Sequence, residues 1–475
     1  MTAPASPPRA RRVHPALLCA ALPLLAWDCT REAPVVAAAP AQDEARVTLR
    51  LSGSLEGRLE PCGCASGQVG GLARRSFRLQ QDRGRYDVLI EGGDLVGGGT
   101  LLDELKLMTM LAVFDDKRAP YDALGVGPRD LQLDTGVFAD LAAGYPQLRF
   151  VASDLVAVAG PGTREWPALP FAEWSAGDKT VRVACLARAL PTARAADAPH
   201  FELLEPAAAW QRAMDGAAPT TFRVLLAHGA ADLARPLARL APLPDLIVAV
   251  GDAVEPPHDP EFVDGVPLVQ PGVRGRYLLD VTLARRDGKP QIVRYAPIAL
   301  EGSRTSKTAL ADQDVAAQIL AHRHEVKSED ARGKLANRLP TANGAEYVGD
   351  AKCVSCHYAA GKAHEASKHA LAWRTLEAAE ATGRYAWPVT WYPDCIACHT
   401  VGYGERSGFS SPEATPDLRG VGCEACHGAG SRHSADPPAI RLGKVGSLRC
   451  TQCHDYEQSP DFDWNARWKL IEHGK

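Results

Sequence analysis

Four copies of one short cysteine-histidine motif crowd the C-terminal part of the chain and limit what that part can fold into. Each copy has two cysteines separated by two residues and a histidine directly after the second cysteine. The copies are Cys353-Cys356-His357, Cys395-Cys398-His399, Cys423-Cys426-His427 and Cys450-Cys453-His454. Two thiols at this spacing can each add to one vinyl group of a haem, and the adjacent histidine then faces the iron. The spacing predicts four covalently attached c-type haems.

Two other uses of paired cysteines explain the pattern less well. A zinc ribbon needs CxxC pairs but no following histidine, and a thioredoxin-like redox site needs a single CxxC pair. Neither use accounts for a histidine after all four pairs, and no cysteine between Cys353 and Cys453 is left over. A segment this short that holds four porphyrins can build little core of its own. We therefore expect the macrocycles to form its interior and the segment to be unfolded without them.

The sequence around these motifs resembles the tetrahaem cytochrome c-554 family. The resemblance extends from Tyr347 to the C-terminus through the stretches KCVSCH, SKHALAWRTL, DCIACHTVGYG, GVGCEACHGAGSRH and RCTQCHDYEQSP. It implies that three haem irons have two histidine ligands each, and that the second haem along the chain keeps an open iron face. A mostly α-helical, haem-cored cytochrome domain is expected over residues 347–475.

Three histidines outside the motifs match distal ligands of that family. His369 falls where the family has the distal ligand of the third haem, His433 where it has that of the first, and His473 where it has that of the fourth. His364 is left as a spare, and the iron bound by His399 has no sixth ligand in this scheme. Because a five-coordinate iron can bind a small molecule, His399 is the open-iron candidate for chemistry on a small nitrogen species.

The N-terminal region alternates short β-branched runs with helical stretches. Strands that alternate with helices predict an α/β layered domain, placed at residues 42–300. The apolar spacing of Leu101–Phe114 indicates an amphipathic helix. The predicted strands include Val47–Leu51, Val88–Glu91, Arg149–Val151, Val181–Leu186, Val224–Ala227 and Leu246–Val250.

Two further segments complete the predicted organisation. Residues 1–41 are predicted to be a signal peptide and low-complexity leader, because three arginines precede a short apolar run. The protein is then expected in the periplasm or another extracytoplasmic space, and Cys29 is a candidate for the lipid attachment of a lipoprotein. Residues 301–346 are predicted to be a linker helix followed by a joint, with His322 and His324 at its surface.

The N-terminal region resembles the 5′-nucleotidase branch of the calcineurin-like metallophosphoesterases, through GRLEPCGCASGQVGGLARR, EGGDLVGGG, YDALGVGPRDL, LLAHG and DLIVAVGD. Those enzymes hold two metal ions with DxH, GD, GNH, H and GHxH motifs at strand ends, and the metals activate water and bind phosphate. Only Asp94 and His228 match those ligands, so a phosphate-ester hydrolase is the less favoured alternative. The departures are Ser54-Leu55-Glu56, Gly127-Pro128-Arg129-Asp130 and Gly251-Asp252-Ala253-Val254.

Two cysteines next to the first predicted strand leave several uses open. Cys62 and Cys64, together with Asp94 and His228, could hold a single zinc ion through sulfur, nitrogen and oxygen donors. A redox-active or disulfide-bonded CxC pair is one alternative, and two thiols without special chemistry are the other. Cys185, within the apolar run VRVACL, is predicted to be a core residue.

The expected function follows from charge and motifs together. The formal net charge is −4, and without a basic stripe the chain is not expected to bind nucleic acid. Irons with two histidine ligands are saturated and mainly transfer electrons. The chain is thus expected to be an exported tetrahaem cytochrome that exchanges electrons with periplasmic redox proteins. The phosphoesterase-like domain is expected to be a degenerate docking or sensing module.

Overall fold

The computed structural model describes residues 45–61, 68–286, 289–302 and 310–473. The predicted signal peptide with Cys29 lies outside the described residues, and so do Cys62 and Cys64. Within the described ranges, no helix combines the length and the apolar character that a membrane span requires.

The strands of the described residues form two six-stranded sheets and one two-stranded sheet. They all lie in the N-terminal region, where β-branched residues are frequent. In chain order they are β1 (Arg46–Ser52), β2 (Val88–Glu91), β3 (Ala123–Gly125), β4 (Phe150–Val151), β5 (Leu155–Val158), β6 (Ala172–Ala176), β7 (Lys179–Leu186), β8 (His200–Leu203), β9 (Phe222–His228), β10 (Leu246–Val250), β11 (Glu261–Val263), β12 (Val266–Val269), β13 (Tyr277–Arg286) and β14 (Lys289–Ala299).

The two large sheets pack face to face. Their strand orders are β14-β13-β1-β2-β3-β4 and β11-β12-β10-β9-β7-β6. The first sheet contains four neighbouring parallel strands, β1-β2-β3-β4, and the second contains four others, β12-β10-β9-β7. The remaining strands, β13, β14, β11 and β6, are antiparallel to their neighbours and lie toward the sheet edges. Alternate residues of a strand point to the same face, and one buried cluster joins Leu49 and Leu51 of β1 to Val224 and Leu226 of β9. This cluster is the central layer of the N-terminal region.

Helices cover the outer faces of both sheets and make up most of the C-terminal part. The first three helices and the sixth pack on the first sheet, and the fourth and fifth lie by the second. The predicted α/β layered fold is thus confirmed, with four layers in the order α-β-β-α. The helices are α1 (Leu72–Gln81), α2 (Leu101–Phe114), α3 (Thr135–Ala143), α4 (Pro206–Met214), α5 (Ala231–Ala234), α6 (Gln313–Ser328), α7 (Ala331–Leu335), α8 (Asp350–Val354), α9 (Tyr358–Glu365), α10 (Ala372–Ala381), α11 (Pro393–His399), α12 (Cys423–His427), α13 (Ser431–Ala435), α14 (Ser447–Cys450) and α15 (Trp464–Trp468).

The C-terminal part consists of short helices joined by turns. From α8 onward the described residues contain helices of 4 to 10 residues and no strand longer than an isolated bridge. Helices this short are marginal by themselves in water. Their stability must come from what they pack against, and the predicted, mostly α-helical class is confirmed.

Helix α2 lies between the two parts of the molecule. Its sequence predicts one apolar face, yet ten of its fourteen residues are buried. Leu107 and Leu111 belong to the cluster on the first sheet. Leu102 and Leu105 instead join a cluster with Trp373 and other residues of the C-terminal part. The prediction of a single apolar face is wrong because residues of the C-terminal part cover the opposite face of the helix.

Helix α6, in the predicted linker, is packed into this contact as well. Val326 joins the cluster of the C-terminal part. His322 is only 2% exposed, and its ring is hydrogen-bonded to Thr109 Oγ1 at 3.1 Å and to Tyr392 Oη at 3.3 Å. The predicted surface position is confirmed for His324 and wrong for His322. The sequence of α6 does not reveal that two regions meet around it.

Candidate haem-binding sites and the phosphoesterase-like pocket

Each CxxCH motif lies on a short helix or at its end. Helices α11 and α12 end at His399 and His427, and the amide of His454 donates a helical hydrogen bond to the Cys450 carbonyl at 2.8 Å. Residues three and four apart lie on the same face of a helix. One turn therefore presents both thiols and the imidazole of a motif on the same side, which covalent haem attachment requires.

Three of the four motif histidines face a second imidazole. When two imidazoles bind one metal ion from opposite sides, each metal–nitrogen bond is about 2 Å long. Adding the distance from each nitrogen to the centre of its ring gives a separation of about 6 Å between the two ring centres. Each pair is therefore spaced to hold one iron atom. The ring centroids are 6.1 Å apart for His357 and His433, 6.1 Å for His369 and His454, and 6.0 Å for His427 and His473.

Two of these pairings differ from those that the family resemblance implies. His433 faces the histidine of the first motif, as expected. His369 faces the fourth motif rather than the third, and His473 faces the third motif rather than the fourth. The expected partners of His369 and His473 are therefore exchanged. The order of histidines along the chain does not specify these pairs, because the loops between the motifs fold back on each other.

The outer ring nitrogens of several histidines are positioned to donate to oxygen atoms of the chain. His433 Nδ1 lies 2.6 Å from the Ile440 carbonyl, and His399 Nδ1 lies 2.6 Å from the Ala372 carbonyl. Histidines that bind metals usually donate their other N–H in this way, which leaves Nε2 for the metal. These contacts orient the imidazoles as axial ligands require.

His399 differs from the other motif histidines. Among the described residues, no second imidazole is paired with its ring. The spare His364 is occupied elsewhere, with Nε2 at 2.9 Å from the Val421 carbonyl. His364 also lies in a group with Asp350 and Cys423 that is compact enough for a metal ion. Because Cys423 belongs to the third motif, haem attachment would remove it from such a site.

Cysteines of different motifs contact each other. The thiol of Cys353 in the first motif is hydrogen-bonded to that of Cys423 in the third. Cys453 in the fourth motif is likewise hydrogen-bonded to Cys398 in the second. The first and third attachment sites are therefore neighbours, and so are the second and fourth.

Large apolar side chains next to the motifs are exposed on the protein surface. Leu448 is 83% exposed and Leu470 69%, and Tyr358, directly after the first motif, is 66% exposed. The imidazole pairs and their spacing, with two thiols beside each motif histidine, fit haem.

The two surviving phosphoesterase ligands meet where the strands of the N-terminal region end. Asp94 follows β2 and His228 ends β9, and their Oδ2 and Nδ1 atoms are 3.5 Å apart. Burial alone lowers the pKa of His228, but its contacts with Asp94 and Cys185 outweigh burial and raise this pKa well above its usual value. Burial raises the pKa of Asp94, and the contact with His228 reverses this and lowers it. The two side chains thus lie side by side in a buried pocket.

Asp130 closes the same pocket as a structural residue. Its carboxylate accepts hydrogen bonds from the amides of Leu95 at 2.7 Å and Gly127 at 2.9 Å. Burial and the nearby Asp94 raise its pKa to about 7. A Cβ atom at Gly127 would overlap both Asp94 and His228, so these side chains pack directly on the backbone. Cys185 is fully buried beside them, as the sequence predicts.

The predicted zinc site is placed only in part by the structure. Asp94 and His228 come together, whereas Cys62 and Cys64 lie outside the described residues. Within the described ranges, the group of three donors that includes Asp350 is far along the chain from this pocket. Among the described residues, no third histidine, cysteine or carboxylate donor lies close enough to both Asp94 and His228 to form a compact metal site, and the zinc site stays a prediction.

A charge pair between the two regions, with its lysine buried, is not evident from the sequence. Lys106 Nζ on α2 lies 2.7 Å from Asp394 Oδ2, and the Lys106 side chain is 7% exposed. Asp394 directly precedes Cys395 of the second motif. A lysine within a helix usually faces solvent, so only the fold shows that Lys106 contacts the helix carrying His399.

Fold and sites together define two classes in one chain, a phosphoesterase-like α/β region and a c-type cytochrome region. Residues 352–428 match the family model described as "Cytochrome c554 and c-prime". Cytochrome c-554 of Nitrosomonas europaea is 33% identical over 143 residues, which cover 24% of this chain and 61% of that protein. The chain thus spans about three fifths of the length of this curated relative. The predicted resemblance to cytochrome c-554 is confirmed.

Solved structures resemble the N-terminal region in fold. The NAD nucleotidase of Haemophilus influenzae has a TM-score of 0.51 at 14% identity, covering 65% of this chain and 64% of that one. A 5′-nucleotidase precursor of Thermus thermophilus has a TM-score of 0.48 at 21% identity, covering 60% of this chain and 59% of that one. The predicted 5′-nucleotidase-like fold is confirmed by the first of these. Identity this low says nothing about activity.

Proposed function

We propose that this chain is an exported tetrahaem c-type cytochrome that transfers electrons between periplasmic redox proteins. The observation that carries the proposal is the set of three imidazole pairs whose centroids are 6.0 to 6.1 Å apart. Bound haem supplies one-electron oxidation and reduction, and its potential depends on axial ligands, burial and hydrogen bonds. An iron held by two of these imidazoles would have no coordination position left for a substrate, which favours electron transfer over catalysis.

The chain's own residues would determine how the electrons move. Hydrogen bonds at Nδ1, such as that from His433 to Ile440, hold the imidazoles in place and make them better donors. The contact between Cys353 and Cys423 brings the first and third sites together, and that between Cys398 and Cys453 brings the second and fourth together. This arrangement supports electron transfer within each pair of neighbouring sites.

Haem content, a redox titration and EPR spectroscopy test this proposal. We expect four haems per chain by pyridine haemochrome assay, reversible one-electron reduction of each, and three low-spin signals in the oxidised protein. The variant His433→Ala should convert the first haem from low-spin to high-spin and leave the other low-spin signals in place. His364→Ala is the matched control and should change none of them. Fewer than four haems, or no reversible reduction, would contradict the proposal.

A second candidate function is chemistry on a small nitrogen species at the haem bound by His399. It is favoured by one observation: among the described residues this motif histidine is paired with no second imidazole, unlike the other three. We expect one high-spin signal in the oxidised protein and a nitrosyl signal after nitric oxide is added to the reduced protein. An oxidised spectrum with low-spin signals alone would exclude an open iron.

A phosphate-ester hydrolase is not proposed. The stretches that stand in place of the DxH and GNH motifs contain Glu56 and Arg129, and these two residues form an ion pair with 3.5 Å between Oε1 and Nη2. A guanidinium cannot bind a metal cation.

A further inference from the structure

An arginine stands at the centre of the altered phosphoesterase site. Arg274 follows β12, and its Nε donates to Glu56 Oε2 at 3.1 Å. Arg129 approaches the other oxygen of Glu56 at 3.5 Å. The carboxylate of Glu56 thus lies between two guanidinium groups, near the end of the parallel strands. Their positive charge satisfies the carboxylate without a metal ion.

The same arginine reaches the cytochrome region. Arg274 Nη1 lies 2.9 Å from Asp455 Oδ2 and 3.0 Å from Glu457 Oε2. Asp455 directly follows His454, the histidine of the fourth motif. A single guanidinium therefore joins the phosphoesterase-like site to the segment next to an axial ligand.

Other contacts fix this segment in the same place. Two arginines lie over the ring of Tyr456. The guanidinium carbon of Arg274 is 4.9 Å from the ring centroid, and that of Arg276 is 5.1 Å from it. Gln68 Nε2 donates to the main-chain carbonyl of Glu457 at 2.8 Å. Three consecutive residues after the fourth motif are therefore held by the N-terminal region.

The conformation of the site indicates that Arg274 is held by its contacts. Its side chain is only 19% exposed, so water screens its charge less than that of a surface arginine. Its backbone has φ +61°, and Glu56 has φ +50°. Left-handed backbone is uncommon for residues other than glycine, and residues in such conformations persist where the surrounding structure determines them.

We propose that Arg274 is a positioning residue for the haem of the fourth motif, and that its charge raises the reduction potential of that haem. The inference rests on the proposed function, since it requires a redox-active haem at His454. Reduction removes positive charge from a haem, so a nearby cation favours the reduced form. Without Arg274, the carboxylates of Asp455 and Glu457 would be uncompensated and would favour the oxidised form.

Spectroelectrochemical titration of the full-length, haem-loaded protein tests this inference. We expect Arg274→Gln to lower the reduction potential of one of the four haems. Arg274→Lys keeps the positive charge, so its reduction potential for that haem should stay close to the wild-type value. The haem that moves should be the one whose low-spin signal is lost in His369→Ala, because His369 faces His454. Arg239→Gln is the matched control, since Arg239 is 78% exposed and paired with Asp264 on the surface. It should shift no potential.

A second variant keeps the test decisive if Arg274→Gln does not fold. Asp455→Asn removes the negative charge next to His454 and should raise the potential of the same haem. The inference is overturned if Arg274→Gln leaves all haem potentials unchanged. If Arg274→Gln does not fold, unchanged haem potentials in Asp455→Asn overturn it instead. So does an equal shift of all four haems. If the variants overturn the inference but the wild-type protein has four reducible haems, the proposed electron transfer stands. If the wild-type protein lacks four reducible haems, the proposed function itself is contradicted.

Discussion

The two regions of this molecule obtain their interiors from different sources. The N-terminal region buries its own large side chains, with Trp210 fully buried and Phe114 1% exposed. In the C-terminal region Leu448, two residues before Cys450, is 83% exposed, and Leu470 near the end of the described chain is 69% exposed. Protein interiors are packed as densely as organic crystals, and the eight short helices α8 to α15 are not expected to reach that density without a further group. We therefore expect the first region to be stabilised by its own side chains and the second to depend on its cofactor.

The largest expected effect comes from withholding haem. If the full chain is produced in cells that lack the haem-attachment machinery, we expect the N-terminal region to fold and the C-terminal region to be largely unfolded. Limited proteolysis with mass spectrometry should give a resistant fragment that begins near Arg46 and ends in or before α7. The haem-loaded chain under the same conditions is the control. Equal resistance of residues 347–473 in both forms would remove the distinction between the two regions.

A change in the core of the N-terminal region should leave the haems unaffected. Trp210 on α4 is fully buried, and its Nε1 donates to the Pro242 carbonyl at 2.6 Å. Replacing a buried aromatic residue with alanine costs about 3–5 kcal/mol of unfolding free energy. We expect Trp210→Ala to lose this much in denaturant titrations monitored by circular dichroism, with unchanged haem spectra. Trp174→Ala, at a partly buried position, should lose less. Altered haem spectra in Trp210→Ala would show that the regions are not independent.

The contact between the regions should weaken on acidification. Burial, and next the charge of Lys106, lower the pKa of His322 to about 4. The unfolded chain has the ordinary histidine pKa of about 6.5. Between these values the unfolded state binds a proton that the folded state excludes, so the unfolding free energy falls as the pH falls. The full effect is about 3 kcal/mol.

Comparison of the wild type with His322→Gln isolates this contribution. Guanidinium titrations at pH 7 and pH 4.5 should show a smaller loss of unfolding free energy in the variant, because its side chain does not titrate. The carboxylates that also titrate in this range are common to both proteins and cancel. Parallel pH profiles would mean that His322 does not have the lowered pKa.

The smallest expected effect concerns the start of α2. The Thr100 side chain accepts from the Asp103 amide at 3.3 Å, and the Asp103 carboxylate accepts from the Thr100 amide at 3.0 Å. Loss of such an N-cap costs about 1 kcal/mol. We expect Thr100→Ala to lose this amount in thermal unfolding, and Thr100→Ser to keep most of it. If Ser and Ala were equally destabilised, the capping hydrogen bond would not be the cause.

Local patterns in the sequence predict the elements of the N-terminal region well. The bounds of β2 (Val88–Glu91), β10 (Leu246–Val250) and α2 (Leu101–Phe114) agree with prediction. Continuous β-branched runs fit parallel strands that are buried on both faces, and the helix follows from its spacing and cap. These features depend on neighbours in the sequence, which a single chain provides.

Features that depend on distant contacts could not be predicted in the same way. The buried position of His322 arises because α6 packs between two regions, and nothing in its own helical pattern records the second of them. The pairing of His369 and His473 depends on how the loops between the motifs fold together. The role of Arg274 is visible only where it meets Asp455, which lies 181 residues away. For the CxxCH motifs, by contrast, the chemistry is contained within five residues.

The position of α2 between two clusters has a consequence for biogenesis. Leu102 and Leu105 are buried in a cluster that includes Trp373 and other residues of the cytochrome region. In a newly made chain without haem, we expect these leucines to lose part of this cover while the C-terminal segment is unfolded. Exposed apolar surface of this kind promotes aggregation and recognition by chaperones and proteases. We therefore expect cofactor attachment to act as a quality-control step for the whole polypeptide, including the region that binds no haem.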